Sequence, residues 1–176
     1  MLALLHREMH GEGSTVTTSL MESALASLVN QASNFLMNGN VPQLMGSQHP
    51  NIAPYGDVYE SSDGFPVLLA IGTERQFKHL CECLELQHLL QQAEFQTNTL
   101  RVQHREALNK VIQAAISKQS LADLMTAFRT HGVPAARIRD MRQVFEIPTA
   151  QEMILDETLA DGTLTKRMKT VVFSID

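Results

Sequence analysis

The sequence predicts an α/β fold: a short, mostly antiparallel sheet with packed helices, plus a helical segment at the N-terminal end. Three observations carry this. "YGDVY" (Tyr55–Tyr59) alternates as a strand does, "SSDG" signals a turn, and Phe65–Ile71 is an apolar run, so the stretch reads as a hairpin. From Arg101 to Ser117, Ala107, Leu108, Val111, Ile112, Ala115 and Ile116 fit the 3.6 period of an amphipathic helix. Capping boxes at Ser19/Glu22 and Thr73/Gln76 mark two further helix starts.

Taken in order, residues 1–10 read as the tail of a helix, with Leu2, Leu5 and Met9 on one stripe and Gly11 as its stop. A Gly-rich turn leads to a short strand, Ser14–Thr18, and then to one helix from about Leu20 to Phe35. The connection Gly46–Gly64 holds two prolines, three glycines, His49, Asn51 and two tyrosines, a mixture a spacer does not need. Pro66 cannot donate to a ladder, which places its strand at an edge or a bulge. Thr73 opens a helix with Phe77, Leu80, Cys81 and Leu84 inward, followed by a short helical turn and loop. After the 101–117 helix, Ser120 caps another with Leu121, Leu124, Met125 and Phe128 inward, ended by Gly132. "VPAARIRD" returns as a short strand, "MRQVFEIPTAQEMI" is helix, break at Pro148 and helix, and Asp161-Gly162 turns a final hairpin-like pattern.

Composition narrows the function classes. Of the 176 residues, 44% are hydrophobic and 19% charged, as in a soluble globular chain, and aromatics are only 5%. The net charge of -5 argues against a sequence-independent nucleic-acid binder, which needs a basic face. No apolar run approaches a membrane span, and "MLALLHREMHGEGS" is too short and too acidic for a signal peptide, so the expected compartment is the cytoplasm. Two nearly adjacent cysteines, Cys81 and Cys83, offer no disulfide framework.

Single motifs carry little chemistry. His6 and His10 are i, i+4, as paired zinc ligands are, yet no acid completes a ligand set, and a structural or exposed role is preferred. Cys81 lies on an apolar helix face and reads as a buried small hydrophobe. "GEGS" lacks the Lys of a phosphate loop and reads as a tight turn. Arg137, Arg139 and Arg142 cluster, as do Lys166, Arg167 and Lys169; either set could meet phosphates, and a solvated face is the simpler reading.

The order of segments says more. "ALLHREMHGEGSTVTTSLMESAL" resembles a stretch of the family III CoA-transferases, with Ala3, Leu4, Arg7, Gly11, Gly13, Val16, Ser19, Leu20, Glu22 and Leu25 fitting and His10 in place of the usual Thr. "HPNIAPYGDVYESSDGFPVLLAIGTERQFKHLCECL" and "FRTHGVPAARIRDMRQVFEIPTAQ" are similar to later segments of the same family. The family includes formyl-CoA transferase, carnitine CoA-transferases and alpha-methylacyl-CoA racemase.

The resemblance implies a large Rossmann-like domain that binds CoA, a small domain inserted after it, and two interlocked chains. It implies that an Asp carboxylate attacks an acyl-CoA thioester and that mixed-anhydride and aspartyl-CoA intermediates pass CoA to a second carboxylate. No residue here matches that Asp. On this reading residues 1–45 are a remnant of the large domain, with a strand and a helix; 46–146 are the small α/β domain; and 147–176 are a linker and strand returning toward the large domain. The start inside a helical pattern and the end on the apolar run Val171–Ile175 are read as signs of an incomplete chain, expected to be inactive alone. Its partners would be a second copy in a homodimer or a separate N-terminal half, with acyl-CoA and a carboxylic acid as substrates of the full enzyme. No metal or resident cofactor is expected, coenzyme A thioester being substrate. The expected substrate-facing loop residues are His49, Asn51, Pro54 and Tyr55, and no catalytic residue is assigned. The alternatives are a racemase fragment and a non-catalytic truncated product or split-enzyme subunit.

Overall fold

The structure, a computed structural model, describes residues 1–170 and Val172. Val171 and 173–176, where the apolar C-terminal run was expected, lie outside the described residues. The chain divides into two compact units, Met1–Leu44 and Met45–Asp176.

The first unit is three helices, α1 (Leu2–His10), α2 (Leu20–Ala26) and α3 (Val29–Asn38), and none has a buried residue. Gly11 ends α1 in the left-handed conformation at φ 70, as its position predicts. Three expectations fail here. Residues 14–18 form no strand, because an alternating pattern becomes a strand only with a ladder partner. The helix expected over 20–35 is broken at Ser27–Leu28, where Val29 takes a positive φ of 40 and the Ser27 hydroxyl donates to the Ala24 carbonyl. The Ser19 cap is made, its hydroxyl accepting from Glu22 N at 3.1 Å, but the Glu22 carboxylate accepts from that hydroxyl instead of closing the box.

The second unit has the predicted class. Strands β1 (Tyr55–Glu60), β2 (Pro66–Ala70) and β3 (Ala135–Arg137) form an antiparallel sheet in that order. Pro66 therefore opens the central strand instead of an edge, tolerated because it is the first residue. The bulge lies on β1, where Tyr55 faces Ala70 and Val58 faces Leu68. One extra residue on β1 breaks the alternation: Tyr55 joins Val58 on the outer face, while Asp57 and Tyr59 turn inward.

Helix α4 (Glu74–Cys83) starts at a complete Thr73/Gln76 capping box. Two 3₁₀ turns, Gln87–Gln91 and Ala93–Phe95, lead to α5 (Asn98–Gln103) and α6 (Arg105–Ile116). The single helix expected over 101–117 is interrupted at His104, φ -107 and ψ 26, between two arginines that both bond carbonyls of the 49–53 stretch. Helix α7 (Leu121–His131) begins at the Ser120 cap and stops at Gly132. Then α8 (Met141–Val144) and α9 (Pro148–Glu152) follow, with Pro148 at the first turn. A hairpin of β4 (Ile154–Thr158) and β5 (Leu164–Met168) closes the described chain through the Asp161-Gly162 turn.

α6 packs on β1, α7 on β3, and α4 on α7. The core between them includes Val67, Leu69, Phe77, Leu108, Ile112 and Phe128, all nearly inaccessible. Each such side chain contributes about 1.5–3 kcal/mol on burial. No helix among the described residues is long and apolar enough to cross a membrane.

Gly56 makes the β1 bulge possible. Its φ is 76, and a Cβ there would lie 1.9 Å from the Ser47 carbonyl oxygen. Gly56→Ala should destabilise the fold by on the order of 2–5 kcal/mol, from the left-handed backbone plus overpacking. Gly64→Ala, where an added Cβ meets nothing within 4 Å, should cost only the backbone part, about 1–2 kcal/mol. Urea denaturation of both variants tests this; equal losses would show that the close approach of Ser47 is unimportant.

Candidate functional site

The His49–Tyr55 loop is held from behind by two arginines on the core side of α5 and α6. Arg105 occupies the same stripe as Leu108, Ile112 and Ala115, so its long side chain runs inward with them. Its Nη2 donates to the carbonyls of His49 and Ile52 at 2.6 and 2.9 Å, and its Nη1 donates to Asp57 Oδ2 at 3.0 Å. Arg101 donates from Nε to the Ala53 carbonyl at 3.0 Å. Its two terminal nitrogens grip Glu74 at 2.8 and 2.9 Å, a bidentate fork, and its guanidinium carbon lies 4.2 Å from the centre of the Phe77 ring.

The remaining loop groups are bonded too. Asn98 accepts from Ala53 N and donates to the Asn51 carbonyl. Ile71 N donates to the Pro54 carbonyl, and His49 N to the Tyr55 carbonyl. Every carbonyl from Asn51 to Tyr55 is thus engaged, and the Ala53–Pro54 bond is cis. The backbone of this loop is fixed.

Asp57 is the hub. Its side chain is 1% exposed and accepts from Gln48 Nε2, Asn109 Nδ2, Tyr55 N and Arg105, which satisfies a buried carboxylate. Tyr59 extends the network by donating to Asn109 Oδ1 at 2.8 Å, and burial, with the Asp57 charge beside it, pushes its phenol well above the ordinary range. An open cleft of about 740 Å³ runs past the network, lined by Met45, Gln48, Val102, Glu106, Asn109 and Lys110.

Of the four loop residues predicted to face substrate, Pro54 is buried, His49 is half-buried, and Asn51 and Tyr55 are exposed. The His49 ring meets Tyr55 edge-on at 5.5 Å. His49 Nδ1 accepts from Asn51 N at 3.1 Å, so a neutral ring carries its proton on Nε2. Asp57, Arg101 and Arg105 escaped the sequence reading. Their one signal was charge at positions of an inward stripe.

A model of CoA-transferase family III matches residues 1–176. The chain belongs to that family. Succinate–glutarate CoA-transferase of Agrobacterium fabrum is 34% identical over 172 residues, 97% of this chain and 42% of that protein. Succinyl-CoA:glutarate CoA-transferase of Mus musculus is 32% identical over 145 residues, 82% of this chain and 33% of that protein. A solved structure of a CaiB/BaiF family protein from Brucella suis superposes with a TM-score of 0.66 at 31% identity, covering 97% of this chain and 44% of that one. The chain therefore spans about two fifths of the length of these CoA-transferase relatives.

Elsewhere in this family III chain, burial pushes the Cys81 thiol up to about 12, so it stays a protonated core group. The His6 and His10 rings lie 4.6 Å apart, tilted at 46°, on exposed α1, and among the described residues no cluster of three metal-ligating side chains occurs.

Arg105→Ala should cost on the order of 3–5 kcal/mol, because it strands a buried carboxylate. Arg105→Lys should recover part of this by keeping the charge. Chemical denaturation measures both, and a loss under about 1 kcal/mol for the alanine variant would refute the hub role.

Hydrogen bonds from Arg101 hold the Glu74 carboxyl below its ordinary value of 4.5. A depressed folded value means the stabilisation is fully present above that ordinary value and fades as pH falls through the lowered one. Acid titration of stability should therefore show the gap between the chain and Glu74→Gln closing below pH 4.5. A gap that stays constant down to strong acid would contradict the assignment.

Proposed function

We propose that this chain is the small-domain portion, with a helical remnant of the large domain, of an enzyme that moves CoA from an acyl-CoA to a carboxylic acid. The observation that carries the reading is the fixed His49–Tyr55 loop, which presents His49 Nε2 from a backbone that Arg101, Arg105 and Asn98 leave no freedom. A donor held in place before reaction stabilises developing negative charge without reorganisation. His49 would offer that donor to the acyl oxygen as the thioester carbonyl is attacked, and Asn51 and Tyr55 would border the acyl group. Pro54 contributes by shape only, since it is buried. A firm wall also keeps water from an anhydride that it would hydrolyse.

On this reading none of the described Asp residues is the nucleophilic carboxylate. Asp57, the buried one on this loop, has its oxygens committed to four donors and faces inward. It would come from outside these residues, together with the CoA-binding half. Two of the relatives named above are glutarate CoA-transferases, which favours transfer over racemisation and a short dicarboxylic acid as acceptor.

The purified chain should show no CoA transfer between succinyl-CoA and glutarate. Mixed with a polypeptide supplying the large domain, it should turn over, and His49→Ala should then lower kcat by about a hundredfold, the scale of an oxyanion donor. Robust turnover by the isolated chain, or an unaffected His49→Ala mixture, would overturn the proposal.

A further inference from the structure

One arginine cluster has no part in the loop site. β3 sets Arg137 opposite Val67, beside the Ser61–Gly64 turn and at the far end of the sheet from His49–Tyr55. At strand spacing the two ends of β1 are about 16 Å apart. Arg129, Arg137 and Arg139 line a single open cleft of about 630 Å³ together with Phe65, Thr126 and Asp63. Arg137 Nε is buried with no hydrogen-bond partner among the described residues, while its guanidinium carbon lies 5.5 Å from the centre of the Phe65 ring. None of the three arginines forms an ion pair among the described residues.

An orphaned, buried, charged donor is costly, and its desolvation is recovered when an acceptor arrives. The acid on the wall does not fill that role: Asp63 Oδ1 already accepts from Ser61 Oγ and Leu121 N, which hold its carboxyl below the usual range. The N-terminal end of the 11-residue α7 opens on the same cleft, but Leu121 N and Asp123 N are already taken by Asp63 and Ser120 and Asp123 sits in its first turn, so the positive charge of the cleft comes from the arginines. Three guanidiniums against one engaged carboxylate leave charge for more than a single negative, and donors for more than two oxygens. A phosphoryl group meets both demands; a carboxylate meets neither. We infer that this cleft binds a phosphoryl group, either free phosphate or the phosphate end of a nucleotide-bearing molecule. The site stands apart from the loop and does not depend on CoA transfer, so a catalytically silent chain that binds phosphate leaves it intact.

Calorimetric titration of the full chain with inorganic phosphate and with adenosine 3′,5′-bisphosphate, each against sodium chloride of equal ionic strength, tests this. Binding of phosphate alone identifies a free-anion site; binding of the bisphosphate alone identifies a nucleotide-borne group. In either case Arg137→Gln should weaken it about tenfold or more, the scale of a charge-assisted hydrogen bond, and exposed Arg142→Ala should not. Circular dichroism checks folding, and if Arg137→Gln is unfolded, exposed Arg129→Gln takes its place and should also weaken binding. No heat beyond the chloride control for either ligand, or unchanged affinity in the cleft variants, overturns the inference.

Discussion

The Arg105–Asp57 pair is the contact on which the second unit's loop and sheet both depend. Burying two charges is expensive, and a well-packed apolar pair of the same volume is often as stable. Such a pair could not replace this one. Arg105 Nη2 also donates to the His49 and Ile52 carbonyls, and Asp57 also accepts from Tyr55 N, Gln48 and Asn109. With an apolar substitute those groups would be buried without partners, at about 1–3 kcal/mol each. The pair is therefore retained for the single geometry it enforces: α6, the start of β1 and the loop before it are joined at one point.

That point exists only because β1 is irregular. In a regular strand Tyr55, Asp57 and Tyr59 would share a face, and Tyr55 would occupy the inner side. The extra residue turns Tyr55 out beside His49 and keeps Asp57 and Tyr59 in. Gly56 supplies the φ and the space that the turn requires, and Ser47 closes it by donating from its hydroxyl to the Gly56 carbonyl at 2.6 Å. One glycine thus decides which side chains the loop shows outward and which it spends on holding itself.

Much of this fold was legible because its signals are local. The Thr73/Gln76 box, the Ser120 cap, the Gly11 and Gly132 stops and the hairpin around "SSDG" need only neighbouring residues, and each forms. Two of the misreadings share a cause, the dominance of distant partners over local pattern. The 14–18 alternation found no second strand. The 101–117 periodicity concealed a break at His104, flanked by arginines bonded to residues about fifty positions earlier. The loop's composition marked it as more than a spacer, yet its clamps were invisible: an Arg at the head of an amphipathic stripe looks like a solvated helix end until the carbonyls that it serves are placed beside it.

The engaged backbone also constrains how the loop can take part in chemistry. A loop that swings must release its hydrogen bonds or carry its partners along. Here release would break charge-assisted bonds from two buried guanidiniums, each worth about 1.5–3 kcal/mol, and would leave Asp57 without its counter-ion. Independent opening is therefore far costlier than for a glycine-rich loop with free carbonyls. Any displacement that keeps these bonds must move the loop, α5, α6 and β1 as one body. For the CoA transfer proposed above, that rigidity suits a donor held in place before reaction better than it suits a moving cover.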